Sequence, residues 1–484
     1  MVFLWVLGFV VATGWLSGSL RTAFFGWSAF AFGALIWLLG GLLALVSPLS
    51  YTPLMMGVWC GVAILIGGTG WIVRRVRPPR ADLIEVAIAL VVFVTISLVA
   101  SGVRYAIGTY DATAQLFLAQ HLAEGTFTEA TRYNLGLWGI FLPMIHTPAF
   151  WLGDAFFLTV QPAFTITMLG TLAFLTGELI DTAGYATVRW VRWVGVALLV
   201  TTYFVVFLSG AIYSNTLAVA YYAPAVLLLW RSHMRGEPHL VLVALVLLMG
   251  FAFTRAEATV YVLPLVVVFL PSSRPTLRLW WCGLLPYGVL LEGWVVWLSL
   301  NISGESYILT PTRVILLLAT VVLTVVFPLA GYIPVVRQRL LPRVGWIMVA
   351  ALGLGVLGLV TLRPAHMMMS AYAMFVNVFV FGAIFWWGMT WWVVALTPTL
   401  LRTQPKTAHA YRITQTTISY VLITWSLSFL REPYRITWPD SANRMLSHLL
   451  PVLVCYVVLR AAPLVAQVIT RRAVVPVPVD ASSK

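Results

Sequence analysis

Long apolar runs of about 20 residues, parted by short polar breaks, set the rhythm of this chain. A hydrocarbon core of about 30 Å requires runs of that length if helices are to cross it, and about 13 to 15 can be marked. The first three occupy residues 2–20, 23–46 and 53–73 and carry almost no charge. The opening run lacks the basic start of a cleaved leader and meets another apolar run at once, so it is expected to remain as a span. The pattern predicts an all-α polytopic membrane protein rather than a barrel, whose strands would alternate.

The first long polar interruption is residues 104–132, centred on Tyr110 and Asp111. Within it DATAQLFLAQHLAEG can place Ala112, Leu116, Ala119 and Ala123 on one face and Gln120, His121 and Glu124 on the other, with Gly125 as the stop. That spacing predicts a short amphipathic helix at the membrane surface with Asp111 as its N-cap, a role worth about 1 kcal/mol. Next comes LGLWGIFLPMIHTPAFWLGDAFF, apolar but broken by Pro143 and Pro148 and carrying His146 and Asp154. Two interfacial helices are expected there, before a span running from about Phe156.

Composition agrees: 61% of the 484 residues are hydrophobic and 9% charged, too few charges to coat a soluble domain of this length. The net charge of +14 comes almost entirely from Arg in short loops at run ends, where it signals topology and contact with anionic lipid heads rather than nucleic-acid binding. The loop RRVRPPR, with Arg74, Arg75, Arg77 and Arg80, is assigned to the cytoplasm, and counting spans from it gives each later loop a side. Arg189, Arg192, Arg231, Arg235, Arg274, Arg278 and Arg412 fall on the inner side. Arg255, Arg313, Arg363, Arg431, Arg435 and Arg444 fall on the outer side with Asp111, Glu257, Glu432 and Asp440. Outer arginines run against the topology bias, so each needs a partner, and either a neighbouring carboxylate or an anionic ligand would serve. The three cysteines, Cys60, Cys282 and Cys455, are far apart inside apolar runs, which predicts buried, inert thiols.

The order of these motifs resembles the GT-C class of membrane glycosyltransferases, in particular the prokaryotic proteins similar to dolichyl-phosphate-mannose protein mannosyltransferases and aminoarabinose transferases. Tyr110-Asp111 followed by LAQHLAEG is similar to the acidic residue and amphipathic helix of that family's first external loop. HTPAFWLGDAFF resembles its His-Pro-Pro-Leu element, with Thr147 in place of the first Pro. SGAIYSNTLAVAYYAPAVLLLW is similar to its polar turn before an Ala/Leu-rich helix, although Asn215 stands where an acidic residue is usual. FTRAEATVYVLPLVVVFLP resembles its Thr-Arg-x-Glu element, and REPYRITWPDSANRMLSHLLP its late external loop. The resemblance implies a catalytic membrane module at 83–312, preceded by a three-helix extension at 1–82. Variable helices at 313–470 and a cytoplasmic tail at 471–484 follow.

That resemblance also implies a chemistry. A polyprenyl-phosphate sugar donor would meet a lipid, glycan or protein acceptor at the extracytoplasmic face of a prokaryotic plasma membrane. Asp111 would act as general base, giving inversion at the anomeric carbon. Tyr110, His146, Arg255, Glu257, Arg363, Arg435 and Arg444 form the pool for binding sugar or phosphate. No cofactor is expected beyond one hard divalent cation that Asp111 with Glu257 could hold, and no spaced carboxylate cluster argues for it. Two other readings stay open. One is a transporter or flippase of lipid-linked or small anionic substrate; the other is a non-catalytic relative, since Ala112 stands where a second acid would follow Asp111.

Overall fold

The computed structural model describes residues 29–47, 51–74, 110–131, 139–153, 157–202, 212–255, 257–271, 273–301, 310–401, 409–437 and 440–473, with isolated positions in 4–11 and 80–95. The span expected at 83–103 falls almost wholly outside these residues, as do Arg104, Arg132, Asp154 and the tail 474–484. The side chains of Tyr110 and Asp111 lie outside them too.

Among the described residues the chain is helical, without strands. Its principal helices are α1 (Ala29–Val46), α2 (Pro53–Arg74), α3 (Tyr110–Glu124), α4 (Phe141–Leu152), α5 (Phe157–Thr182), α6 (Arg192–Val200), α7 (Ser214–Arg235), α8 (His239–Ala252), α9 (Ala258–Phe269), α10 (Arg274–Asn301), α11 (Pro311–Val326), α12 (Leu341–Leu362), α13 (Pro364–Phe375), α14 (Thr390–Leu400), α15 (Ala410–Ser428) and α16 (Ser441–Ala473). Six helices in this described part are long and apolar enough to cross a membrane. The chain has the character of an integral, multi-pass membrane protein.

Two kinds of helix build the bundle. The most apolar stretches of α5 and α16 are 83% and 72% buried, whereas those of α2, α11 and α12 are 22%, 22% and 17% buried. In water such outer helices would be a liability; against lipid their exposed Leu54, Leu65, Ile72, Ile315, Leu354 and Leu357 need no cover. The centre is α7, buried continuously from Ser214 to Ser232 and packed against α5, α8 and α16. Small residues let the backbones close: a Cβ at Gly250 of α8 would stand 2.7 Å from the Tyr221 ring of α7.

The amphipathic helix forms as expected, from Tyr110 to Glu124, and Gly125 ends it at φ +73°. The helix begins one residue earlier than the capping argument required, so Asp111 sits in its first turn instead of at the cap. Ala112, Gln115, Leu118, Ala119 and Leu122 are buried, while Gln120 and Glu124 face out and pair with each other. His121, expected in water, is half-buried and bonds Thr126 Oγ1 through Nδ1 at 2.6 Å.

The following segment differs from expectation. Residues 141–152 make one helix, not two, and it is buried from Phe141 to Ala149 instead of lying on a surface. Pro143 sits in the first turn, where its missing N–H costs nothing. Pro148 leaves the carbonyl four residues back, Met144 O, without its helical donor. Trp37 Nε1 at 3.0 Å and Tyr51 Oη at 3.3 Å, both from the first described helices and their connection, donate to that carbonyl. The segment 1–82 thus contributes polar partners to the core, and α1 also packs against α5. Cys60 and Cys455 are buried as expected, but Cys282 is exposed on α10.

Replacing both Trp37 and Tyr51 by Phe should leave Met144 O buried without a donor and destabilise the protein by about 1–3 kcal/mol. The check is a lowered unfolding midpoint in detergent, with either single variant retaining most of the stability.

Candidate functional site

Residues that the span count assigns to the outer side gather at one end of the bundle. The start of α4 is stitched to the turn between α8 and α9, with Phe141 N donating to Phe253 O at 3.3 Å. Gly139 lies so close to this turn that a Cβ would run into the backbone of Phe253 and Thr254. The turn carries Arg255 and, at the entry to α9, Glu257. Beyond α3, Phe127 packs on Trp294 and Trp297 near the end of α10. His366 Nε2 of α13 donates to Ser428 O, a terminal carbonyl of α15, and Arg313 Nη2 at the start of α11 donates to Leu430 O in the turn that follows.

Arg255 and Glu257 form the centre of this end. Glu257 Oε1 receives Arg255 Nη2 at 2.6 Å and Nε at 2.9 Å, and Arg431 Nη2 approaches the same oxygen at 3.5 Å. Burial alone would push the Glu257 carboxyl up; the two guanidiniums and its hydrogen bonds outweigh that and hold it down to about 2. A buried pair of this kind specifies geometry more than it adds net stability, but losing one partner strands the other.

From Arg255 a directed chain of hydrogen bonds runs inward. Nη1 donates to Asn215 Oδ1 at 3.3 Å, which turns the amide nitrogen toward Arg444 O at 2.9 Å and His448 Nε2 at 3.2 Å. An amide N–H can only donate, so Nε2 accepts and Nδ1 carries the imidazole proton. Nδ1 meets Tyr420 Oη at 2.8 Å, and the phenol gives its own proton to Met445 O at 2.9 Å. Tyr261 stacks on Tyr420 and bonds Thr424 Oγ1, while Tyr434 Oη donates to Thr424 O. Asn215, the departure from an acidic residue, is thus the joint between a cation and a neutral imidazole.

The other expected site residues are distributed unevenly. Arg444 lies over the Tyr213 ring at 5.4 Å and adjoins the cluster. Asp440 begins α16 by accepting from Ala442 N and Arg435 N; its burial pushes the carboxyl up against the pull of these donors. Arg435 is exposed and paired with exposed Glu432, a contact worth little. Arg363, also exposed, sits over the Phe429 ring at 4.9 Å. His146 is fully buried within α4, where burial drives its imidazole down to about 3 and keeps it neutral. Tyr110 and Asp111 begin α3, which packs on α4. Glu257 is engaged by two guanidiniums, and among the described residues no three His, Cys, Asp or Glu side chains gather as a metal site.

His448, Tyr420, Tyr261 and Thr424 were absent from the expected site. Their signal was present: a His in the apolar run of α16, and Tyr420 and Thr424 four apart on one face of α15. No family model matches the chain, and no curated protein or solved structure matches it.

Glu257→Gln should destabilise the protein by about 3–5 kcal/mol, because Arg255 would remain buried without its anion. A depressed carboxyl contributes stability above its ordinary value of about 4.3 and loses it as pH falls toward the folded value of about 2. The wild-type contribution should therefore be constant from pH 7 to about pH 5 and decline below that. Melting curves of both proteins in detergent across that range check the sign.

Proposed function

We propose that the chain is a membrane glycosyltransferase of GT-C type, moving a sugar from a polyprenyl-phosphate donor to an acceptor hydroxyl at the extracytoplasmic face of a plasma membrane. The observation that carries this reading is the stitch between Gly139–Phe141 and Phe253. It fastens the α3–α4 segment, with Asp111 in its first helical turn, to the turn bearing Arg255 and Glu257. Two segments far apart in the sequence thereby belong to one end of one bundle, alongside the late loop that brings Arg431.

In this reading Asp111 takes the proton of the acceptor hydroxyl as the oxygen attacks the anomeric carbon, and the lipid phosphate leaves from the opposite face. Three donors of Arg255 are already spent on Glu257 and Asn215. Its part is therefore to hold the turn, and contact with the phosphate passes to the more exposed Arg431 and to Arg444. The apolar faces of α2, α11 and α12 suit a protein that takes a long prenyl chain directly from the bilayer. The alternative, carriage of a lipid-linked or small anionic substrate, draws on a different part of the bundle, the polar interior beside α15.

Asp111→Asn should lower transfer from a polyprenyl-phosphate sugar by about 10²- to 10⁴-fold at unchanged expression. Full activity in that variant would overturn the assignment of the base. Gly139→Ala should also reduce transfer, since its Cβ must push α4 off the Arg255 turn. Arg363→Ala, which removes a contact with the Phe429 ring and leaves that stitch intact, should have a smaller effect on the same assay.

A further inference from the structure

Helix α15 carries polar side chains at every fourth position along its whole length: Arg412, Thr416, Tyr420, Thr424 and Ser428, with Gln415 and Ser419 beside them. Positions four apart share a helix face, and this one is turned inward, for all of these residues except half-buried Arg412 are buried. At 1.5 Å per residue the stripe is about 24 Å long, most of a hydrocarbon core. Its midpoint, Tyr420, reaches the Asn215–His448 chain, and beyond Ser428 it ends near Arg431, which shares Glu257 with Arg255. Its other end reaches the opposite end of the bundle, where Arg412 Nη1 donates to Val268 O near the end of α9 and His409 lies 5.8 Å from His233.

The outer half of the stripe is satisfied within the protein, as shown by Thr424 Oγ1 donating to Tyr420 O and Ser428 Oγ to Trp425 O. The middle is not. Gln415 Nε2, Thr416 Oγ1 and Ser419 Oγ are buried without a hydrogen-bond partner among the described residues, as is Arg412 Nε. Neighbouring hydroxyls on the same helix do bond back to the preceding turn, for example Thr417 Oγ1 to Ile413 O, so the helix does not forbid it. Gln415 occupies the space opened by Gly345 of α12. Orphaned donors are costly in an apolar medium, and a cluster of them argues for an occupant that supplies acceptors.

We propose that this stripe lines a polar path through the bundle for a phosphate-type anion, carried either as a lipid headgroup or as the free ion. The charge pattern selects the anion. Neither α15 nor the helices α7, α9, α12, α13 and α16 packed around it contain Asp or Glu, and the ends of the path bear Arg412 and Arg255. Guanidiniums at both ends repel protons and metal cations, and the orphaned groups between them, an amide nitrogen and two hydroxyls, can all donate to phosphate oxygens. Glu257 is the carboxylate at the outer end and is covered by Arg255 and Arg431. This activity is separate from sugar transfer and requires no sugar donor.

The test uses the full chain in phospholipid vesicles without sugar donor, in two arms. One follows movement of a fluorescently tagged anionic phospholipid to the outer leaflet by dithionite bleaching; the other follows uptake of radiolabelled inorganic phosphate. Activity in the first arm identifies a headgroup, and in the second the free ion; either should fall at least tenfold in a Thr416→Val, Ser419→Ala double variant. To show that this variant is folded, its detergent melting midpoint should equal or exceed the wild type, because it removes orphaned groups. Thr416→Cys, in a background with Cys60, Cys282 and Cys455 replaced by Ala, should react with a charged, membrane-impermeant thiol reagent. No transport above protein-free vesicles in either arm, equal transport by the double variant, or an unreactive Thr416→Cys would each overturn the proposal.

Discussion

A polar group inside a bilayer has no water to fall back on, and the bundle is organised by that constraint. It requires helices, which satisfy their own backbones, and it makes each exception visible. Pro148, inside α4, leaves Met144 O without its helical donor, and Trp37 and Tyr51 are brought in from distant sequence to cover it. The last carbonyl of α15 is covered by His366, and that of Leu430 in the turn beyond it by Arg313. Charged groups follow the same rule at both ends of the molecule. At one, Glu257 holds Arg255 and Arg431; at the other, Glu178 meets Arg189, Arg231 and Arg235.

The two ends differ in what they do with their charge. The end bearing Glu178 is an interlocked set in which Asp181 and Glu237 add further carboxylates to the same arginines, which ties α5, α7 and the turn after α7 together. The end bearing Glu257 passes its order inward through Asn215 to His448 and Tyr420, fixing one tautomer of a buried imidazole. Such a chain is a costly device in an apolar interior when any member is left unpaired. Here it aligns the starts of α7, α9 and α16, which frame the candidate site, with the middle of α15.

Much of this was legible in the sequence, because hydropathy and turn chemistry are local properties. Apolar runs announced a multi-pass helical protein, and Gly125 announced the end of α3. The spacing of Arg and acidic residues sorted them into two sets, and residues of each set meet at their own end of the bundle. Pairing of Arg255 with Glu257, two residues apart, was also within reach. Local pattern misjudged the segment around His146, where two prolines read as breaks, because the partner that rescues Met144 O is 107 residues away. It likewise exposed His121 and buried Cys282, since the face a short helix presents depends on its neighbours.

Sequence alone determined the helical, multi-pass character of this chain, since about 20 apolar residues in succession leave the backbone no other stable course in lipid. Tertiary structure alone decided which polar residues share that lipid-free interior. Nothing in the sequence joins Asn215 to His448, 233 residues apart, or directs Thr416 and Ser419 inward while Thr414 and Tyr411 face out. Helix packing sets those faces, and packing is fixed by how close α7 can approach α5, α8 and α16, not by any one helix's own hydropathy.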